Sequence, residues 1–263
     1  MSLLDVLDVS FNNFSGEVPK ELLAGCLTLL VLKLSYNSFC GHLFSSNFNL
    51  TNLEVLRIND NKFSGILSNV LSKCSGSLSF LDVSNNNMVG KIPSWICNQT
   101  KLTLLLLRDN FFNGSLPSWS RKGSLNHIHL EENFFSGSIP KAFLNVSGLL
   151  SLDISHNKLS GNIPSAIEVN FITKNLRSSY KDNILNYMSG LDLSCNNLTG
   201  DIPLELGKLS SVRELNLSHN QLTGFIPQTF SNLVKLESLD LSYNTLSGQI
   251  PKTLIELHFS SSV

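Results

Sequence analysis

The residues best suited to metal chemistry lie between positions 127 and 156 of this chain. His127 and His129 stand two residues apart, Glu131 follows, and Asp153 and His156 come one strand pattern later. Imidazole and carboxylate groups are common zinc ligands. Zinc binding is therefore the first chemistry to consider for this stretch.

The same residues can also be interpreted as polar pairs between neighbouring strands. Arg108 would face Glu131, and His129 would face Asp153, as exposed ladders on a sheet surface. Such pairs contribute only roughly a few tenths of a kcal/mol each. We favour this interpretation and predict no metal site.

Motifs for catalysis are not found elsewhere in the sequence. No nucleophile stands with a recognisable base and third partner. There is no GxxxxGK[ST] phosphate-binding loop and no protein-kinase motif set. We therefore predict a protein that acts by binding, with no enzyme activity and no cofactor.

The elements that would position these residues come from one recurring pattern. Its clearest copies, residues 149–164, 212–227 and 236–251, share the form LxxLxLxxNxLxGxIP. Asparagines recur at a spacing of 23 to 25 residues with one gap of 39: Asn12, Asn37, Asn61, Asn86, Asn110, Asn133, Asn157, Asn196, Asn220 and Asn244. All eight prolines follow a recurring glycine by three residues. A fixed period of this length is the signature of a solenoid.

Within each copy, alternating apolar and polar residues predict a short strand, as in Leu239, Asp240, Leu241 and Ser242. Such a strand cannot bury its own face, so the copies must stack into a parallel sheet around a leucine core. We expect the asparagine amide to satisfy backbone groups of its own and adjacent turns. The glycine would supply a turn of unrestricted φ, and the proline would end strand pairing.

The predicted fold is an α/β solenoid, a right-handed superhelix with a parallel β-sheet on its concave face. Apolar residues after each proline are spaced more loosely, and they predict short 3-10 or α segments on the convex side. The chain would then divide into repeats one to seven, an insertion, repeats eight to ten and a truncated repeat or tail: 1–164, 165–190, 191–251 and 252–263.

The GxIP ending of the repeat resembles that of the plant extracellular class of leucine-rich repeat proteins. It appears here as GEVP, GKIP, GSLP, GSIP, GNIP, GDIP, GFIP and GQIP. Two copies depart from it, with Phe44 and Ser68 at the proline position. The resemblance implies a leucine-rich repeat solenoid over nearly the whole chain, but receptors, receptor kinases and secreted inhibitors share this repeat.

The repeat fails between Pro164 and Leu191, where the chain carries 15 extra residues. An insertion in a solenoid often lies over a binding face, although an irregular excursion has the same sequence signature. The end of the stretch, SSYKDNILNYMSGLDLS, resembles the island domain that precedes the last repeats of plant receptor-like proteins. The resemblance implies an island remnant whose candidate binding residues are Lys174, Arg177, Tyr180, Lys181 and Tyr187.

Positions between the core leucines are predicted to point to the concave surface, where successive copies place them side by side. Repeats one, four, seven, eight and ten carry a plain Asp/Ser pair there, whereas repeats two, three, five and six depart from it. These departures can be interpreted as a ligand-binding face or, alternatively, as a solvated sheet face that binds no ligand. We expect the departing residues and their neighbours to form a ligand face: Lys33, Tyr36, Arg57, Asp60, Leu106, Arg108, Asp109, His129, Glu131 and Glu132.

Composition limits the partners and the compartment. A net charge of −1 and 15% charged residues give no case for nucleic acid or an anionic membrane. The longest apolar run is far shorter than the roughly 18 residues of a membrane span.

The ends show no signal peptide or polar cap, which leads us to expect an internal segment or a truncated product of a larger cell-surface protein. Seven sequons fit a secreted glycoprotein: Asn13, Asn49, Asn98, Asn113, Asn145, Asn197 and Asn216.

The resemblance implies the non-catalytic ectodomain of a plant receptor-like protein in defence or developmental signalling, on the extracellular side of the plasma membrane. It also implies a peptide or protein ligand and a leucine-rich repeat receptor kinase as co-receptor, bound by repeats eight to ten. Two alternatives stay open. One is a secreted inhibitor of cell-wall-degrading enzymes such as polygalacturonase, whose solenoid is uninterrupted, and the other is a nonfunctional truncated product.

Overall fold

The computed structural model describes residues 3–43, 50–74, 76–119, 124–141, 149–165, 190–252 and 254. The strand leucines of the repeat lie in one hydrophobic core, and Leu56, Leu81 and Leu105 are completely buried. Stacked repeats bury these side chains because each strand covers the next, as the period of the sequence predicts.

One strand from each repeat joins the predicted parallel sheet on the concave face. In the described part of the chain this sheet has ten strands: β1 Val6–Asp8, β3 Val31–Lys33, β5 Val55–Arg57, β7 Phe80–Asp82, β9 Leu104–Leu106, β11 His127–His129, β13 Ser151–Asp153, β15 Gly190–Asp192, β17 Glu214–Asn216 and β19 Ser238–Asp240. Equivalent residues of neighbouring repeats face each other, so the columns deduced from the sequence are confirmed.

A second parallel sheet, which the sequence pattern did not lead us to expect, forms from the segment after each asparagine. Its nine described strands are β2 Ser15–Glu17, β4 Ser38–Gly41, β6 Lys62–Gly65, β8 Asn87–Gly90, β10 Phe111–Gly114, β12 Phe134–Gly137, β14 Lys158–Asn162, β16 Asn197–Asp201 and β18 Gln221–Thr223. Stacking at a fixed period brings these segments together, and their backbone groups pair because unpaired polar groups are costly. Phe63, Phe112 and Phe135 anchor this sheet in the core.

Short helices on the convex side follow the proline position of the repeat, as predicted. In the described part of the chain they are α1 Lys20–Ala24 and the 3-10 helices Asn69–Cys74, Ser94–Asn98, Leu204–Lys208 and Gln228–Asn232, of which Asn69–Cys74 follows Ser68. Pro93, Pro203 and Pro227 precede three of them with φ between −68° and −61°, the range that the proline ring imposes. Leu206 and Phe230 then fill the core from this side.

Repeat eight stacks directly on repeat seven in spite of the insertion. Leu152 of β13 faces Leu191 of β15. Asn196 donates from Nδ2 to the carbonyl oxygen of Ile154 at 3.0 Å, which confirms the predicted bridging role of the asparagine. The extra residues of the insertion therefore leave the register of both sheets unbroken. No helix in the described part of the chain is long and apolar enough to cross a membrane.

Candidate functional site

The last residue of each concave strand forms what we call the first column. Register pairs place Lys33 beside Arg57, Leu106 beside His129, and His129 beside Asp153. Because neighbouring parallel strands are about 4.8 Å apart, these side chains lie in one continuous row. In chain order the column reads Asp8, Lys33, Arg57, Asp82, Leu106, His129, Asp153, Asp192, Asn216 and Asp240.

The centre of this row is more buried than the sequence suggested. In this row Asp82 is 4% exposed and His129 is 7% exposed, and Glu131, two residues after His129, is 9% exposed. The expectation of exposed polar ladders is therefore wrong for His129 and Glu131. Side chains on both neighbouring strands flank each residue, so water reaches the middle of the sheet less easily than its ends, where Asp8 and Asp240 are exposed.

A connected polar cluster occupies this centre. Arg108 Nε lies 3.8 Å from Glu131 Oε1, and His129 Nδ1 lies 3.7 Å from Glu131 Oε2. His129 Nε2 is 3.0 Å from the hydroxyl oxygen of Ser151, which is also 2.7 Å from His127 Nδ1. The predicted pairing of Arg108 with Glu131 is confirmed, and Ser151, which sequence reasoning missed, joins the two imidazoles.

Burial shifts the pKa of two titratable groups, Asp153 and His127. Burial, and then the nearby Glu131 carboxylate, raise the pKa of Asp153 to about 6. Burial, and then His129, lower the pKa of His127 to about 4. Arg108, His129 and Glu131 line one end of an open cleft of about 520 Å³ that extends along the concave surface to β19. The arrangement is suited to binding a ligand with its own charged or hydrogen-bonding groups.

A second row, which we call the turn column, is formed by the residue before each repeat asparagine. All ten of its members adopt a left-handed conformation, with φ between 49° and 57°. Tyr36 is 45% exposed and stacks on Phe11 with ring centroids 4.3 Å apart. Asp60 accepts a hydrogen bond at 2.7 Å from Asn85 Nδ2. The members are Phe11, Tyr36, Asp60, Asn85, Asp109, Glu132, His156, Cys195, His219 and Tyr243.

The predicted ligand face is therefore a strip across several strands, not a single compact pocket. Lys33 lies near one end, 3.5 Å from Asp8, and the Arg108 cluster lies three to four concave strands further along. Sequence reasoning also missed the stack of His219 on Tyr243 near the other end, at 4.0 Å. The spacing of 24 residues between these two rings could have revealed it.

The described sequons differ in their surroundings. Asn13, Asn98, Asn113 and Asn197 are exposed. Asn216 lies on β17 within the first column, where it donates to Asp192 at 3.0 Å and accepts from the Ser218 backbone N–H. The remaining sequons and the insertion residues lie outside the described residues: Asn49, Asn145, Lys174, Arg177, Tyr180, Lys181 and Tyr187.

Family models agree with this architecture. A model described as "Leucine rich repeat" matches residues 186–246, and a second with the same description matches residues 3–24, 52–74, 77–99 and 148–170. Together these matches span more than half of the chain.

Curated relatives are receptors of plants. The chain is 51% identical over 63 residues to Cuscuta receptor 1 of Solanum lycopersicum, a match that spans 23% of this chain and 6% of that protein. It is 50% identical over 48 residues to Receptor-like protein 1 of Arabidopsis thaliana, which spans 18% of this chain and 4% of the relative. The matched region is thus a small part of each relative.

Solved structures with the same fold include plant receptors and a plant ice-binding protein. The plant peptide hormone receptor RGFR1 in complex with RGF2 is 32% identical with a TM-score of 0.82, over 96% of this chain and 39% of that one. The Arabidopsis receptor kinase HAESA, in complex with the peptide hormone IDA and the co-receptor SERK1, is 29% identical with a TM-score of 0.60, over 97% of this chain and 52% of that one.

Proposed function

Because the chain belongs to the leucine-rich repeat family, we propose that it is the ligand-binding part of a plant cell-surface receptor-like protein, acting by binding and not by catalysis. Its named relatives are receptor-like proteins, and its structural neighbours include a peptide hormone receptor bound to its peptide. The proposal includes a role in defence or developmental signalling on the extracellular side of the plasma membrane.

The concave strip is the observation that carries the proposal. It runs from Lys33 on β3 to Glu131 beside β11 and mixes cationic, anionic and apolar side chains. Four strand spacings of about 4.8 Å give a strip of about 19 Å. About six extended residues span that length at about 3.3 Å each. The strip therefore has the dimensions of a site for an extended peptide or a protein loop.

Enrichment of natural peptides tests this proposal. The chain would be immobilised and exposed to peptides from plant extracellular fluid, and bound species would be identified by mass spectrometry. The test variant combines Lys33→Ala with Tyr36→Ala, which removes two side chains at one end of the strip. The control combines Leu204→Ala with Val234→Ala, which removes exposed side chains outside the concave sheet.

We expect specific peptides to be enriched by the chain and by the control variant, and enrichment by the test variant to fall at least about tenfold, a loss of about 1.4 kcal/mol. Equal enrichment by both variants would place binding elsewhere on the molecule. Failure to enrich any peptide would contradict the proposed function.

Repeats eight to ten, residues 191–251, are the proposed contact surface for a leucine-rich repeat receptor kinase. The related receptor kinase HAESA assembles with the co-receptor SERK1. In this chain, Phe225 is 67% exposed and Tyr243 is 74% exposed, and Tyr243 stacks on His219. Exposed aromatic side chains of this kind are frequent anchors of protein interfaces.

Binding of the SERK1 ectodomain is a direct test of this surface. We expect biolayer interferometry to detect binding in the presence of an enriched peptide, and we expect Phe225→Ser combined with Tyr243→Ala to abolish it. Phe111→Ser, at an exposed phenylalanine of repeat five, is the matched control. Unchanged binding by the first variant would contradict the assignment to repeats eight to ten.

A further inference from the structure

Three side chains of types that can ligate a metal converge at the centre of the concave sheet. His129, Glu131 and Asp153 each offer one ligand atom, and the three atoms lie within 4.8 Å of one another. His129 and Asp153 are register partners on β11 and β13, and Glu131 follows β11 by two residues. The parallel register therefore assembles the group from two adjacent repeats.

The burial and polar contacts of Glu131 are the second observation that points to a cation. The residue is only 9% exposed, and its Oε2 atom is buried without a hydrogen-bond partner among the residues that the structure describes. The Nδ1 atom of His129 lies 3.7 Å away, which is beyond hydrogen-bond distance. An unsatisfied buried carboxylate oxygen is costly, so native proteins rarely leave one without a cation or a hydrogen-bond donor.

Arg108 does not meet this need. Its Nε atom lies 3.8 Å from the other carboxylate oxygen, Oε1, and the guanidinium side chain is 46% exposed. The two oxygens of Glu131 thus face different groups: Oε1 lies near arginine, and Oε2 lies near the imidazole of His129.

Ser151 holds the imidazole in a suitable orientation. Its hydroxyl oxygen lies 3.0 Å from His129 Nε2 and 2.7 Å from His127 Nδ1. If Nε2–H donates to Ser151 and the hydroxyl donates to His127, the lone pair of His129 is on Nδ1, the atom nearest Glu131. Hydrogen bonding of the distal ring nitrogen is the usual way in which proteins orient a metal-binding histidine.

We propose that His129, Glu131 and Asp153 form a binding site for a divalent transition metal of the zinc type on the concave face. Ligand atoms at about 2.1 Å from a tetrahedral zinc ion are about 3.4 Å apart, so the 3.7 Å between Nδ1 and Oε2 needs little adjustment. A metal cation would also relieve the repulsion between the two carboxylates. Further coordination positions would face the open cleft. The proposal does not depend on the identity of any receptor ligand.

Cobalt and zinc titrations of the full, untagged chain test the site at pH 7. We expect one Co²⁺ ion to bind per chain with visible d–d absorption, and Zn²⁺ to displace it in calorimetry. Glu131→Gln keeps the size of the side chain but removes its charge, and we expect it to weaken binding at least about tenfold. Asp153→Asn is a second variant with the same expected loss.

Asp192→Asn is the matched control, because Asp192 is the next aspartate in the first column and its carboxylate already accepts from Ser194 and Asn216. We expect its metal affinity to equal that of the parent chain. Circular dichroism of each variant would confirm folding. Absence of a stoichiometric site, or equal affinities for Glu131→Gln, Asp153→Asn and the control, would overturn the proposal.

Discussion

Asn86 reaches back by one repeat and donates a hydrogen bond from Nδ2 to the carbonyl oxygen of Ile58 at 3.0 Å. The same amide donates to the carbonyl oxygens of Val83 and Ser84 within its own turn. Its Oδ1 atom accepts from the backbone N–H of Phe63 at 2.9 Å, again in the preceding repeat. One buried side chain therefore satisfies backbone groups on both sides of a repeat boundary.

Replacing Asn86 with alanine should destabilise the fold strongly, because it leaves several buried backbone groups without partners. We expect a loss of roughly 3 kcal/mol in the free energy of unfolding. Urea unfolding followed by circular dichroism measures this loss. Asn87→Ala is the control, since Asn87 is adjacent but exposed. Comparable losses for the two variants would contradict the bridging role of Asn86.

Gly207 is expected to tolerate no side chain. A Cβ atom there would lie 2.3 Å from the carbonyl oxygen of Thr229 in the neighbouring repeat. Because backbone has to move to relieve that overlap, Gly207→Ala should cost about 1 to 3 kcal/mol in thermal or urea unfolding. At Gly76 an added Cβ would have no atom of the described residues within 4 Å. Gly76→Ala should therefore be neutral or slightly stabilising, and an equal cost at both glycines would be contrary to this prediction.

Asp153 should make folding more favourable as the pH falls. Burial, and then the neighbouring Glu131 carboxylate, raise its pKa to about 6, whereas an unfolded aspartate titrates near 3.9. The folded state therefore binds the proton more tightly, and this contribution to stability is present below about pH 4 and lost as the pH rises through 6. Asp153→Asn removes this dependence.

The free energy of unfolding of the parent chain relative to Asp153→Asn should thus rise by about 2 kcal/mol between pH 7 and pH 4. Asp240→Asn is the control, because a hydrogen bond from the backbone N–H of Ser242 lowers the pKa of the exposed Asp240. For this variant the free energy of unfolding of the parent chain relative to the variant should fall, not rise, as the pH falls. A flat difference between the parent chain and Asp153→Asn across this pH range would show that Asp153 ionises normally.

His127 should remain neutral at pH values where most histidines are protonated. Burial, and then His129, lower its pKa to about 4. The folded state disfavours protonation of His127, whereas the unfolded chain takes up this proton near pH 6.5. The free energy of unfolding should therefore be unaffected by His127 above pH 6.5 and should decrease as the pH falls from there towards 4. An NMR titration of the ring protons, assigned through the missing signal in His127→Gln, measures the pKa. A midpoint between pH 6 and 7 would contradict the prediction.

Much of the architecture followed from local rules. The 24-residue rhythm of Asn220 and Asn244 predicts stacked parallel strands, since equivalent residues must meet when identical units stack. Both asparagines bond back to the preceding repeat, as their amide chemistry led us to expect. The second sheet was not predicted because its strands are short, and Gln221–Thr223, for example, has three residues with a single apolar one. Their pairing depends on stacking, not on local preference.

The sequence by itself determined the repeat, the core leucines and the order of residues along each concave column. Only the tertiary structure decided how deeply each of those residues is buried and which groups meet. His129 and Glu131 look like any exposed strand residues in the sequence, yet they are buried together because both flanking strands carry side chains of their own. Burial and charge interactions depend on distances through space, which a one-dimensional pattern does not contain.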